Sequence, residues 1–283
     1  MIALLSYLFY FVAASASPIQ RRWLANKRDF EGRGQINFAF QVSLVVVFLS
    51  LFIPLFSPFN LTGNAYYLLG LSVLSGAFGA GFLISSYIAQ KHVEAGVTVL
   101  VGNIYTPITI LLAWIFLGEK LTGTQIVGTI LLLLAIVLIS KKHRIGKLNF
   151  DKYFLLTVAS GAMLGVTLVA ERALQKTTGF TAGTMLSWGA QALGVGIVAL
   201  ATHSVSGYSK KDVAITGVLR FLQILSWVIV LFVVGNLSLV SAITTFKVVI
   251  VFIVAALVLK ERDDLPRKIV GSLIAVLGLL LMK

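Results

Sequence analysis

The sequence predicts an all-α polytopic membrane protein: ten transmembrane helices arranged as two inverted five-helix repeats. The prediction rests on three observations. Of 283 residues, 58% are hydrophobic and 12% charged, with mean hydropathy +0.98, whereas soluble domains are about half apolar and about a quarter charged. A bilayer core takes about 20 apolar residues per helix, and ten such segments lie at 2–20, 37–56, 65–90, 95–117, 123–140, 153–174, 182–202, 212–234, 239–259 and 267–282. Finally, two long stretches, Val97–Ile139 and Val240–Met282, read alike. A shift of 142 places Glu119 on Glu261 and Lys120 on Arg262, and a shift of 143 places Ile126-Val127-Gly128 on Ile269-Val270-Gly271. A near-half-length offset marks two halves built on one plan. Five is odd, so the second half enters the membrane from the opposite side, which makes the repeat inverted. The expected division is residues 1–140, a basic linker at 141–152, and residues 153–283.

Each segment has its own support. The first ends near Ala14-Ser15-Ala16, which resembles a signal-peptide cleavage site, but Met1-Ile2-Ala3 carries no Lys or Arg, so it is read as a retained helix. The loops are too short for a soluble catalytic domain. Asn60-Leu61-Thr62 and Asn236-Leu237-Ser238 match glycosylation sequons but sit in tight turns, and we read them as turn residues. Small residues recur at helix-packing spacing in Ser72/Gly76/Ala80, Gly81/Ser85 and Gly161/Gly165. Lipid tails supply no hydrophobic drive between helices, so small faces that permit close approach do. Pro107 inside the fourth segment removes a backbone hydrogen bond, predicting a kink, either at a gating position or as simple packing.

Composition excludes several functions. There is no Cys, hence no disulfide, thiolate metal site or Cys nucleophile. The three histidines, His92, His143 and His203, are dispersed near segment ends, so no metal site is expected, and no cofactor motif is present. The net charge of +13 reflects loop topology rather than nucleic acid: 17 Lys and Arg fall on the side of loops 1–2, 3–4, 5–6, 7–8 and 9–10, and 4 on the other. Positive-inside reasoning then puts both termini outside the cell membrane. Membrane lipids are the surrounding partner, and monomer and homodimer both stay open.

The remaining two cations, Lys247 and Arg220, lie inside the ninth and eighth segments. Burying a charge at a helix centre costs about 2.5–3.5 kcal/mol on insertion scales, so such residues mark substrate sites or internal pairing. Arg220, Gln223 and Trp227 share one helix face at i, i+3 and i+7. The 142-residue shift puts Lys247 on Tyr105, making Asn103, Tyr105 and Lys247 neighbours around the kink. Trp188, Gln191 and Tyr10, near segment centres, complete the candidate binding set. Glu171 and Arg172 read as interfacial, with Arg172 snorkelling, and Glu94 as a helix-start residue. No carboxylate is then expected near the midplane.

Pro107, the apolar run ending Phe116-Leu117-Gly118-Glu119-Lys120-Leu121, Gln125 and Gly128 resemble the drug/metabolite transporter superfamily, specifically its EamA-like ten-helix transporters. The second half carries a degenerate copy, Leu259-Lys260-Glu261-Arg262, with Val249 at the proline position. The resemblance implies two inverted repeats, a central cavity, alternating access and structural roles for Glu119 and Glu261. It also implies termini inside, against the charge bias above. The expected function is secondary active transport of a small metabolite, an amino acid or organic anion or zwitterion. The alternative is an exporter of neutral aromatic or drug-like compounds whose buried cations are structural. A lipid transferase would need convergent carboxylates, His or Cys at one interface, and Asp29, Glu31, Asp263 and Asp264 have no such partners, so no enzyme is expected. A channel lacks a filter motif, and no Walker motif suggests ATP.

Overall fold

The computed structural model describes residues 2–27, 33–117, 122–139, 144–145, 149–205, 207–234, 240, 244, 247–261 and 265–281. Glu119, Lys120, Arg262, Asn236, half of the basic linker and the acidic loop residues Asp29, Glu31, Asp263 and Asp264 lie outside the described residues. The described chain is helical: α1 (Ile2–Lys27), α2 (Arg33–Ser50) with a 3₁₀ turn at Ile53–Leu55, α3 (Ala65–Ala89), α4 (Ala95–Gly102), α5 (Tyr105–Leu117), α6 (Gly123–Ile139), α7 (Lys152–Thr178), α8 (Phe180–Ala201), α9 (Lys210–Val234), α10 (Lys247–Val258) and α11 (Leu265–Leu281). One exception is a two-residue antiparallel pairing, Arg144 with Phe150 and Ile145 with Asn149, in the linker. Among the described residues, six spans are long and apolar enough to cross a membrane: Arg33–Leu55, Ala65–Ala89, Ala95–Phe116, Lys152–Thr178, Phe180–Ala201 and Lys210–Val234.

Helix ends follow local chemistry. Asn64 accepts from the Tyr66 and Tyr67 amides to start α3, and Asp151 accepts from the Tyr153 and Phe154 amides to start α7, satisfying donors that the first turn leaves free. The first helix outruns its apolar segment by seven residues, because its polar tail finds partners. Gln20 donates to Thr216 on α9 at 2.9 Å, and Arg22 pairs with Glu261 at 3.0 Å. Arg21 and Arg22, expected in a loop, therefore belong to α1. Outward faces are apolar, as a lipid solvent requires: Leu193, Ile197 and Leu200 of α8, one face by their spacing, are 71%, 68% and 75% exposed.

Helices pack through small residues. α3 meets α7 and α8, α1 meets α9 and α10, α2 meets α8 and α9, α5 meets α7, and α6 meets α11. A Cβ on Gly76 would stand 2.9 Å from the Ala190 carbonyl oxygen, and one on Gly278 would stand 2.6 Å from that of Gly128. Gly128 lies near the start of α6 and Gly278 near the end of α11, so these helices run antiparallel. One buried apolar cluster joins Val97, Leu100, Leu132, Phe154, Val248 and Phe252; a second joins Leu24, Phe38, Val42, Leu83, Val195 and Val213.

The ends of the bundle are tied differently. At one end Arg22 donates to the Gln90 and Lys91 carbonyls at 2.7 and 2.6 Å. Glu261 there accepts from the Ala95 amide at 3.0 Å, Lys268 pairs with Glu94, and the His92 and Tyr153 rings stack. The Glu261 carboxylate thus caps α4 and pairs with α1, the structural role that the resemblance implied for it. At the other end Thr62 donates to the Thr177 carbonyl and Thr181 to that of Ser57, both at 2.9 Å.

The proline acts four residues upstream of itself. Its missing N–H removes the bond to residue 103, and its ring crowds that carbonyl. The span accordingly breaks at Asn103-Ile104. The Asn103 carbonyl accepts from the Thr106 amide at 2.9 Å, while the Asn103 and Ile104 amides donate three residues back. Two glycines of α7 receive the broken backbone: a Cβ on Gly161 would stand 2.6 Å from the Gly102 oxygen, and one on Gly165 3.1 Å from that of Tyr105.

Candidate functional site

An interior cavity of about 170 Å³ is walled by α1, α2, α3, α7, α8, α9, α10 and the broken span. Helical spacing selects its residues. From α1 come Tyr10, Ala14, Pro18 and Arg21; from α7, Ser160, Leu164, Thr167, Leu168 and Glu171; from α9, Arg220, Gln223, Ile224, Trp227 and Val228. Each set is one helix face at steps of three and four. All nine sequence-predicted binding residues, Lys247, Arg220, Asn103, Tyr105, Trp227, Gln223, Gln191, Trp188 and Tyr10, line this cavity. Pro107 does not line it and acts through the break it imposes.

Lys247 begins α10. Its ammonium donates to the Tyr10 hydroxyl at 2.9 Å and stands 6.0 Å from the Tyr105 ring centroid, so the two residues aligned by the 142-residue shift face each other. Arg220 reaches Gln223 at 3.5 Å and lies 5.5 Å over the Phe82 ring. Asn103 is 1% exposed, and its amide nitrogen has no partner among the described residues.

Two residues absent from the sequence-predicted set complete the wall. Arg21 is 9% exposed. Its guanidinium lies 4.9 Å over the Tyr87 ring, and its Nε and Nη1 have no hydrogen-bond partner among the described residues. Glu171, expected at the interface, is 5% exposed in the cavity wall. Its carboxylate accepts from the Ser187 hydroxyl at 2.9 Å and from Gln175 at 3.4 Å. Ser187 bonds Ser75 at 2.7 Å and accepts from Gln191 at 3.0 Å. The interfacial reading fails because α7 continues to Thr178, which places Glu171 about 10 Å inside the helix end at 1.5 Å per residue. Periodicity would have found both: Arg21 extends the Tyr10–Ala14–Pro18 face, and Glu171 extends Ser160–Leu164–Thr167.

The cavity therefore presents three cations and one carboxylate from its lining side chains, with aromatic surface from Trp188, Trp227, Tyr105 and Phe82. Such a site can hold an acidic group against Arg or Lys and an apolar body against rings.

Residues 1–141 match the sequence model of the EamA-like transporter family. No curated protein matches the chain. Among solved structures, 26 chains match; one crystal structure superposes with TM-score 0.63 over 98% of this chain and 95% of that one, at 13% sequence identity, a likeness of fold. The chain, a multi-pass membrane protein, belongs to the EamA-like transporter family of the drug/metabolite transporter superfamily.

Proposed function

We propose that this protein is a secondary active transporter that carries a small anionic or zwitterionic metabolite, an amino acid or related organic acid, across the cell membrane by alternating access. The observation that carries the reading is the unpaired positive charge of the cavity. Arg21, Arg220 and Lys247 come from both halves of the chain, and two Arg21 nitrogens lack an acceptor. A buried charge without a partner is costly, and an acidic substrate would supply one. Trp227 and Tyr105 would contact its apolar body.

Alternating access rests on two inverted repeats, residues 1–140 and 153–283. α5 and α10 start at Tyr105 and Lys247, and α6 and α11 span 123–139 and 265–281, so one offset of 142 relates both pairs. The C-terminal end of α10 caps the N-terminal end of α4 through Glu261, and α6 runs against α11. The contacts of α1 with α9 and α10 answer those of α7 with α3 and α5. Two repeats that can rock about a shared interior site are what such carriers use.

Thermal stabilisation of the purified protein tests the reading. Carboxylate-bearing metabolites are expected to stabilise wild type and to lose that effect in Lys247→Ala. Stabilisation of both proteins by neutral aromatic compounds alone would instead make the cations structural.

A further inference from the structure

Resting on the anion-carrier reading above, we infer that Glu171 is the second recognition pole of the cavity, taking the ammonium group of a zwitterionic substrate whose carboxylate lies against the cations. The carboxylate is in the cavity wall and buried to 5% exposure. Its hydrogen bonds come from neutral donors, the Ser187 hydroxyl and the Gln175 amide. The ion pairs among the described residues, Arg22–Glu261 and Lys268–Glu94, lie elsewhere. No lining Lys or Arg pairs with it, although three share its cavity. Arg220 of α9, Lys247 of α10, and Tyr10 and Arg21 of α1 line the same cavity.

The placement separates the charges along the bundle. Arg21 lies six residues from the C-terminal end of α1, and Glu171 lies seven from that of α7. Those two helix ends are at opposite ends of the bundle, because Arg22 meets Gln90 and Glu261 while Thr177 meets Thr62. An anion alone would satisfy the cations and leave the carboxylate held by neutral donors. The two charges of an α-amino acid are borne on one carbon and cannot reach Arg21 and Glu171 together. With its ammonium on Glu171, its carboxylate goes to Arg220, whose neighbour Phe221 packs on Trp188 beside Ser187. The Ser75–Ser187–Gln191 chain fixes Ser187, and through it the carboxylate, so the pole is preorganised.

The test uses full-length detergent-solubilised protein and three matched probe sets: the proteinogenic amino acids, their deamino acids and their decarboxylated amines. Wild type is expected to bind at least one amino acid about tenfold or more tightly than its deamino acid, the scale of a charge-assisted hydrogen bond. Glu171→Gln, nearly isosteric, is expected to erase that preference while still binding the deamino acid, and Glu171→Asp to restore part of it. Size-exclusion behaviour checks that each variant folds. Equal wild-type affinity for amino acid and deamino acid overturns the assignment, as does an undiminished preference in Glu171→Gln. Absence of amino-acid binding overturns it too. In each case carboxylate binding that is lost in Lys247→Ala would leave the anion-carrier reading standing; loss of all carboxylate binding in wild type would remove both.

Discussion

Individual side chains carry most of the functional argument. Lys247, Arg220 and Tyr105 were legible because a cation inside an apolar run is expensive and an internal offset aligns 105 with 247. Arg21 and Glu171 were missed for one physical reason: both follow the apolar core of their helix, where hydropathy marks an end. The helix continues when polar residues find partners, as Gln20 does with Thr216 and Gln175 with Thr184. Face periodicity, which survives where hydropathy fails, would have kept both on the cavity side. The same reasoning predicts mutant behaviour. Tyr10→Phe removes the hydroxyl that accepts from Lys247, and we expect it to weaken substrate binding less than Lys247→Ala does, read by titration calorimetry. Arg22→Met leaves Glu261, whose side chain is only 11% exposed, without its ion-pair partner. Breaking a buried pair costs about 3–5 kcal/mol, and partial exposure puts the expected loss at the lower end, measured as a fall in thermal midpoint.

Among helices, close approach replaces the hydrophobic effect as the organising force. The break at Asn103-Ile104 is the clearest case. A proline and the two α7 glycines facing it form one device, and the sequence announced its parts without announcing that they meet. Gly161→Ala is expected to destabilise by about 1–3 kcal/mol through overpacking, because its Cβ would press the Gly102 carbonyl. Gly189→Ala in α8 meets nothing within 4 Å and should be neutral or stabilising by up to about 1 kcal/mol, since alanine is the better helix former. Thermal unfolding in detergent separates the two. The packing partners themselves could not be read from the sequence, since spacing marks a small face but does not say which helix covers it.

At the scale of the whole molecule, the all-helical membrane character was legible, because lipid solvent forces apolar length onto a span; six of the ten expected spans are long and apolar enough to cross among the described residues. Orientation is a proposal of the same charge count: termini outside, and the Arg22–Glu261 end in the cytoplasm. The absence of native cysteine makes it directly testable. Thr62→Cys is expected to react with a membrane-impermeant thiol reagent in intact cells and Lys211→Cys only after permeabilisation; the reverse pattern would invert the orientation. Transport itself is the decisive measurement. Proteoliposomes preloaded with an amino-acid mixture are expected to take up a labelled amino acid by exchange through wild type and not through Lys247→Ala. Equal uptake of neutral or cationic compounds by both proteins, with no exchange of amino acids or organic acids, would contradict it.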